Sequence, residues 1–216
     1  MSVRVTYYLD VLSQWCWLAE RALDQVRAEF GERVSVDWRL ACVNGGAPIG
    51  ASKSQYVWYY GRTKAVSGTV FNPDWMEGPQ TGTLAANLAV ETARILGASD
   101  DRIRRAIARA ALFDGKPMGR LDVAEAVASA AADIPVPRFR EIMNDPATHR
   151  RLDESAAAFA ALGVDQRPTF VVENTIGDRA IISGLYAYEP LRASVSAMLH
   201  DATIYAEYST SHPQPA

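Results

Sequence analysis

The stretch that decides the fold is Ser13-Gln14-Trp15-Cys16, read together with what stands on either side of it. Before it, Val3-Arg-Val-Thr-Tyr-Tyr-Leu9 is rich in β-branched and aromatic residues and predicts a buried strand. Asp10-Val11-Leu12 is a short connector. After it, Trp17, Leu18, Ala22, Leu23, Val26 and Phe30 recur at helical spacing, so a helix is expected over 13–30, closed by Gly31. Val34-Ser-Val-Asp-Trp-Arg-Leu40 alternates and predicts a second strand. Strand, helix and strand with short joins make a right-handed βαβ unit, hence a parallel strand pair. The quoted stretch therefore opens a helix that leaves a strand. A helix N-terminus presents unpaired N–H groups and a positive dipole end, which favour an anion. A thiolate is such an anion, so the position suits thiol chemistry.

Outward from this unit, residues 43–83 are irregular, broken by Gly45, Gly46, Pro48, Gly50, Pro73 and Pro79, with a short helix around 54–60. From 83 to 162 alanine is dense and β-branched residues are sparse, which predicts several packed helices. They are expected over 84–96, 101–113, 122–132, 137–143 and 146–162. Asp122 with Glu125 has the spacing of a capping box, and Pro137 and Pro146 suit first turns. Strand signals return at 169–173 and 180–183, joined by the hairpin-like turn Asn174-Thr-Ile-Gly-Asp178. A last helix over 188–199 follows Gly184, and a polar tail with a frayed end follows that. The order is βαβ, a helical insertion, then ββα. The expected domains are 1–42 with 164–200, the insertion 43–163, and the tail 201–216.

Composition narrows the function. Of 216 residues, 49% are apolar and 22% charged, as in ordinary globular proteins. A net charge of −3 argues against a nucleic-acid or anionic-membrane binder. No apolar run reaches the ~18 residues of a membrane span, and the N-terminus lacks the regions of a signal peptide, so a cytoplasmic protein is expected. Two cysteines, Cys16 and Cys42, exclude a disulfide scaffold, and the scattered His149, His200 and His212 point to no metal site. Gly45-Gly-Ala-Pro-Ile-Gly50 with Lys53-Ser54 misses the spacing of a phosphate loop. Arg102, Arg104, Arg105 and Arg109 read as a solvated helix face.

A second informative segment is Arg167-Pro168-Thr169-Phe170, a proline directly before a strand. With the ββα ending and the segment at 13–16, the chain resembles the α/β thioredoxin fold, whose cis-proline stands at that place. With its all-helical insertion it resembles the DsbA-like branch of that fold. That branch includes FrnE-like disulfide oxidoreductases, kappa-class glutathione transferases and 2-hydroxychromene-2-carboxylate isomerases. Ala160-Leu-Gly-Val-Asp-Gln-Arg-Pro-Thr-Phe-Val171 and Leu112-Phe-Asp-Gly115 look like the same branch, so the resemblance runs from about 3 to 199.

Within that branch, position 13 separates the chemistries. Oxidoreductases carry Cys-x-x-Cys and attack with the first cysteine, whereas this chain has Ser13 and keeps only Cys16. Serine at that position resembles the transferases and isomerases, in which the hydroxyl donates a hydrogen bond to the sulfur of glutathione and lowers the thiol's pKa. The resemblance implies glutathione or another small thiol as cofactor, no metal, Ser13 and Cys16 as catalytic residues, and Trp15, Arg167, Pro168, Thr169 and Gly184 as thiol- or substrate-binding residues. It also implies a possible homodimer. Gln14 stands where those enzymes usually have proline, and Leu185-Tyr-Ala-Tyr-Glu189 replaces their small or acidic residues, so a thiol other than glutathione stays open.

Plainer readings stand beside these. Ser13 also suits an ordinary helix N-cap, Cys16 a small buried apolar residue, and Arg167 a solvated loop arginine. Cys16 and Cys42 both fall at one edge of the sheet, which leaves a redox role for Cys16, alone or with Cys42. A non-catalytic binding domain is the third reading. The aromatic residues Tyr56, Trp58, Tyr59, Tyr60, Phe71 and Trp75 either line a cleft for a flat or apolar small-molecule substrate or form plain core.

Overall fold

The structure, a computed structural model, describes residues 2–77 and 82–212; the expected break at Pro79 lies outside the described residues. The chain forms two compact units, one of Met1–Tyr8, Leu18–Arg39 and Val164–Ala216, the other of Leu9–Trp17 and Leu40–Gly163.

The first unit is built on a sheet. Strands β1 (Val3–Leu9), β2 (Val34–Leu40), β3 (Thr169–Asn174) and β4 (Arg179–Ser183) lie in the order β2-β1-β3-β4. The first two have the bounds that the apolar pattern predicts. Every residue of β1 except Arg4 is buried, as a strand covered on both faces requires. It runs antiparallel to β3 with Val5 opposite Val172 and Tyr7 opposite Phe170, and these two rings stack at 5.1 Å. β3 turns back into antiparallel β4 at Asn174, whose side-chain oxygen accepts from the backbone of Ile176 and Asp178.

Helix α1 (Gln14–Phe30) starts in the second unit and ends in the first. The last helix runs from Tyr188 to Ser211, twelve residues past its expected end at Leu199. Polarity was the only signal for a tail there, and polarity does not stop a helix. No proline or glycine intervenes between Leu199 and Ser211, and the hydroxyls of Thr203, Ser209 and Thr210 bond to carbonyls one turn back.

The second unit is helical, with α2 (Lys53–Ser67), α3 (Leu84–Ile95), α4 (Asp101–Leu112), α5 (Leu121–Ala132), α6 (Val136–Met143) and α7 (Pro146–Ala160); the C-terminal helix of the first unit is α8. α3 is the hub, packed on α4, α5, α6 and α7 and buried on all sides from Ala85 to Ala93. Its alanines let neighbouring backbones come close. α2 is longer than the expected 54–60, because a capping box between Ser52 and Gln55 starts it and left-handed Gly68 ends it.

Two expectations for this unit need correction. α5 is capped by the backbone of Arg120, not by Asp122, which sits in the first turn as the ion-pair partner of Arg120. Glu125 is buried against Arg140 of α6 at 2.7 Å, so no capping box forms. Arg104 is not part of a solvated face: it is 1% exposed and bonds to Asp101 one turn earlier at 2.8 Å. The helix turns Ile103, Ile107 and Ala111 inward, and Arg104 follows them.

In the first unit Glu29 of α1 accepts hydrogen bonds from Tyr188 and Arg192 of α8. These bonds, Tyr188 first, hold its carboxyl below the usual range, although burial opposes the shift. A depressed carboxyl contributes stability that is present above its unfolded pKa and lost as pH falls through the folded one. The melting-temperature deficit of Tyr188→Phe should therefore be largest near neutral pH and shrink in acid, which a series of thermal melts will read.

Candidate active site

The segment from β1 into α1 belongs to the second unit. It turns on Asp10, a residue with no solvent exposure. Oδ1 of Asp10 accepts from the Leu12 backbone N–H at 2.9 Å and from Asn87 Nδ2 at 3.2 Å. Oδ2 accepts from the Val43 N–H at 2.7 Å and from Thr83 Oγ1 at 2.6 Å. The same Asn87 takes the Val11 N–H on its side-chain oxygen at 3.2 Å. Taking a carboxylate out of water costs several kcal/mol, and a hydrogen bond to a charged group returns about 1.5–3 kcal/mol, so the full set of donors is needed. Asp10 thereby ties the turn after β1 to the segment after β2 and to the start of α3.

Ser13 follows directly. Its N–H donates to the Asp10 carbonyl at 3.0 Å, its carbonyl accepts from Trp17 N–H at 3.0 Å, and its hydroxyl oxygen accepts from Cys16 N–H at 3.4 Å. Ser13 is thus the N-cap of α1 as well as the residue at the front of its dipole. The hydroxyl oxygen is used as an acceptor, while its hydrogen meets no acceptor among the described residues. Ser13 and Trp15 are half-buried; Cys16 is 2% exposed. Cys42 is half-buried just past β2, and both cysteines are thiols.

The turn is backed by aromatic rings. Trp17 meets Phe113 edge-on at 5.2 Å, Phe113 meets Phe71 at 5.3 Å, and Phe71 meets Tyr60 at 5.6 Å. Trp75 donates to the Tyr60 hydroxyl at 2.7 Å. Burial pushes that phenol well above its ordinary pKa, so it stays neutral. Tyr56, Tyr60, Phe71 and Trp75 are therefore core of the helical unit, whereas Trp58 and Tyr59 are exposed. The same unit contains a cavity of about 460 Å³, walled by Gly45, Gly46, Pro48, Leu84, Leu88 and Leu121. Gly46 is left-handed there, and a side chain on it would meet Leu84 Cβ at 2.8 Å.

The other expected site residues cluster in the first unit. The Arg167–Pro168 bond is cis, and the Pro168 carbonyl accepts from Gly184 N–H at 2.8 Å. Pro168 and Thr169 are buried; the Thr169 hydroxyl lies 2.7 Å from the Gln166 carbonyl and 2.9 Å from Ser183 Oγ. Arg167 is half-buried with a guanidinium bond to the Asp165 carbonyl, and Gly184 is exposed and left-handed. The structure thus brings Ser13, Trp15 and Cys16 together on one helical turn, and Arg167, Pro168, Thr169 and Gly184 together at the β3–β4 edge. Among the described residues no group of three His, Cys, Asp or Glu could hold a metal, and no helix is long and apolar enough to cross a membrane. Asp10 is the residue that the sequence passes over as a connector. An acidic residue closing an apolar strand three positions before the helix-opening serine is its only signal.

Comparison with known proteins follows the same outline. The family model of the DSBA-like thioredoxin domain matches residues 4–195. No curated protein matches the chain in sequence. Among solved structures, a Nitrosomonas europaea protein provisionally described as a protein disulfide isomerase superposes with a TM-score of 0.78 at 20% identity, over 93% of this chain and 99% of its own. The cytosolic disulfide reductase DsbM of Pseudomonas aeruginosa gives 0.70 at 18%, over 91% and 98%. A 2-hydroxychromene-2-carboxylate isomerase gives 0.63 at 17%, over 95% and 99%. At these identities the likeness shows the fold.

The exposures of the two thiols set up a direct measurement. Under native conditions a disulfide reagent should modify Cys42 rapidly and Cys16 slowly, with Cys16 catching up only in denaturant; the two are told apart in the Cys42→Ser variant.

Proposed function

The chain belongs to the DsbA-like thioredoxin domain family, and from that premise we propose that it is a cytoplasmic enzyme that binds glutathione or a similar small thiol and turns it on an apolar electrophile. The observation that carries this reading is Ser13 at the front of α1, with its hydroxyl hydrogen met by no acceptor among the described residues and the helix dipole behind it. A donor of that kind favours the charged form of a bound thiol and so lowers its pKa. Ser13 acts as the donor; the bound thiol is the nucleophile.

The chemistry then follows from the thiolate. Its sulfur adds to the electrophilic carbon of a conjugated double bond, and the electron pair of that bond moves onto the activating carbonyl. The former double bond is now single and rotates. Elimination of the thiolate restores the double bond in the other geometry, with no net consumption of thiol. Where the adduct is protonated on carbon and leaves instead, the outcome is thiol transfer. The apolar cavity beside Gly46 and Leu84 has the size of a small-molecule pocket and suits a flat apolar substrate.

A second reading rests on Cys16 in the first turn of α1 and on the disulfide reductase and disulfide isomerase names of similar structures. In it, the Cys16 thiolate attacks a substrate disulfide, forming a mixed disulfide and expelling one thiol; Cys42 or an external thiol then attacks the Cys16 sulfur and expels the second, and the disulfide left on Cys16 is reduced by a further external thiol. The near-complete burial of Cys16 weighs against it.

Millimolar glutathione under reducing conditions should raise the melting temperature of the native protein, since a ligand of the folded state stabilises it. Ser13→Ala should raise the pKa of the bound thiol and lower kcat/KM by about 10- to 100-fold, the equivalent of one charge-assisted hydrogen bond. A Ser13→Ala enzyme with unchanged rate, or disulfide reduction lost in Cys16→Ser, would move the assignment to the second reading.

A further inference from the structure

We propose that Asp10 is a positioning residue for Ser13: its buried carboxylate fixes the turn that sets where the Ser13 hydroxyl stands and leaves its hydrogen available to a ligand. The proposal rests on the reading of Ser13 as donor to a bound thiol.

The cap bond of Ser13 is too weak to place it. At 3.4 Å from the Cys16 nitrogen, the hydroxyl is at the long end of hydrogen bonding, so its location has to come from the backbone. Two successive peptide N–H groups leading into Ser13, those of Leu12 and of Ser13 itself, are held by Asp10, the first by its side chain and the second by its carbonyl. An aspartate that bonds two residues ahead shapes the turn locally. The other carboxylate oxygen anchors that turn at a distance, to Val43 and Thr83, 33 and 73 residues away in the chain. Asn87 closes the set, since it donates to Asp10 and to the Thr83 carbonyl and accepts from Val11. Moving Ser13 relative to the helical unit means breaking these bonds where no water can replace them.

Asparagine has the same shape but only one acceptor oxygen. In either flip its NH2 faces two groups that now donate to Asp10: Leu12 N–H and Asn87, or Val43 N–H and Thr83. Only the Thr83 hydroxyl can rotate to accept. Asp10→Asn therefore loosens the turn without emptying the site.

The test reads the turn and the thiol separately. Amide hydrogen exchange, without ligand, should speed up over residues 11–17 in Asp10→Asn. The ultraviolet absorbance of the thiolate, titrated with glutathione bound, should show the thiolate fraction near neutral pH falling by about three- to tenfold. The double variant Asp10→Asn/Ser13→Ala should do no worse than Ser13→Ala alone, because Asp10 acts through Ser13. If Asp10→Asn does not fold, Thr83→Val removes a single donor to Oδ2 and should shift both readouts less and in the same direction. Faster exchange with an unchanged thiol titration makes Asp10 purely structural and overturns the proposal, as do additive effects in the double variant. A Ser13→Ala variant whose thiol titrates as in the native protein refutes the donor reading itself, and Asp10 then has nothing to position.

Discussion

The carboxylate of Asp10 stands where water cannot reach it, at the point where the first strand gives way to the first helix. Four donors converge on it from four places in the chain, two of them backbone amides that only a proline would remove. A buried carboxylate depends on its donors, and each one lost costs about 1–3 kcal/mol. The turn, the segment after β2 and the start of α3 therefore form together. Thr83 adds to this by donating its own N–H to the Gly46 carbonyl at 2.9 Å, so the loop that walls the cavity is held by the same residues. Gly46 is required there because Leu84 leaves no room for a Cβ.

Helix α1 inherits its starting point from that network. Its first turn is pinned in front by the bonds of Ser13 and behind by the ring contacts from Trp17 to Phe113 and onward to Tyr60. Aromatic pairs of this kind add about 0.5–1.5 kcal/mol each beyond the area they bury. A helix end held on both sides can offer unpaired N–H groups to a ligand without fraying. Rigidity at this end is what a donor to a thiolate needs, since an electrostatic contribution survives only if the dipole does not have to reorganise.

The strands and most helices were legible because their signals are local. Alternation in Val34–Leu40 and the apolar run Val3–Leu9 reproduce the observed bounds, and the alanine-rich stretch marks the helical unit. Ser13 and the proline before β3 were legible through their order along the chain. Where reading failed, the deciding interaction was tertiary. Asp122 has the look of a cap, but Glu125 lies on the buried face of its helix and pairs with Arg140 from another helix. Arg104 has the look of a solvated charge, but the face it shares is buried. Asp10 has the look of a connector because its partners Val43, Thr83 and Asn87 are far off in sequence.

Exchanging the first cysteine of a Cys-x-x-Cys segment for serine changes more than redox capacity. A cysteine at that position is consumed and regenerated in each cycle, so it has to be reached by a bulky disulfide and by a second thiol. A serine is never consumed; it needs only a fixed place and an unclaimed hydrogen. Those are the features found at Ser13: an oxygen already accepting from Cys16, a hydrogen without an acceptor among the described residues, and a backbone held by Asp10. In the proposed reading Cys16 has no mixed disulfide to resolve and can lie buried, and it is 2% exposed. In the same reading the thiol for the chemistry comes from outside the chain, and the fold supplies what a protein can add to it: a helix N-terminus, one donor, and a dry turn that keeps both still.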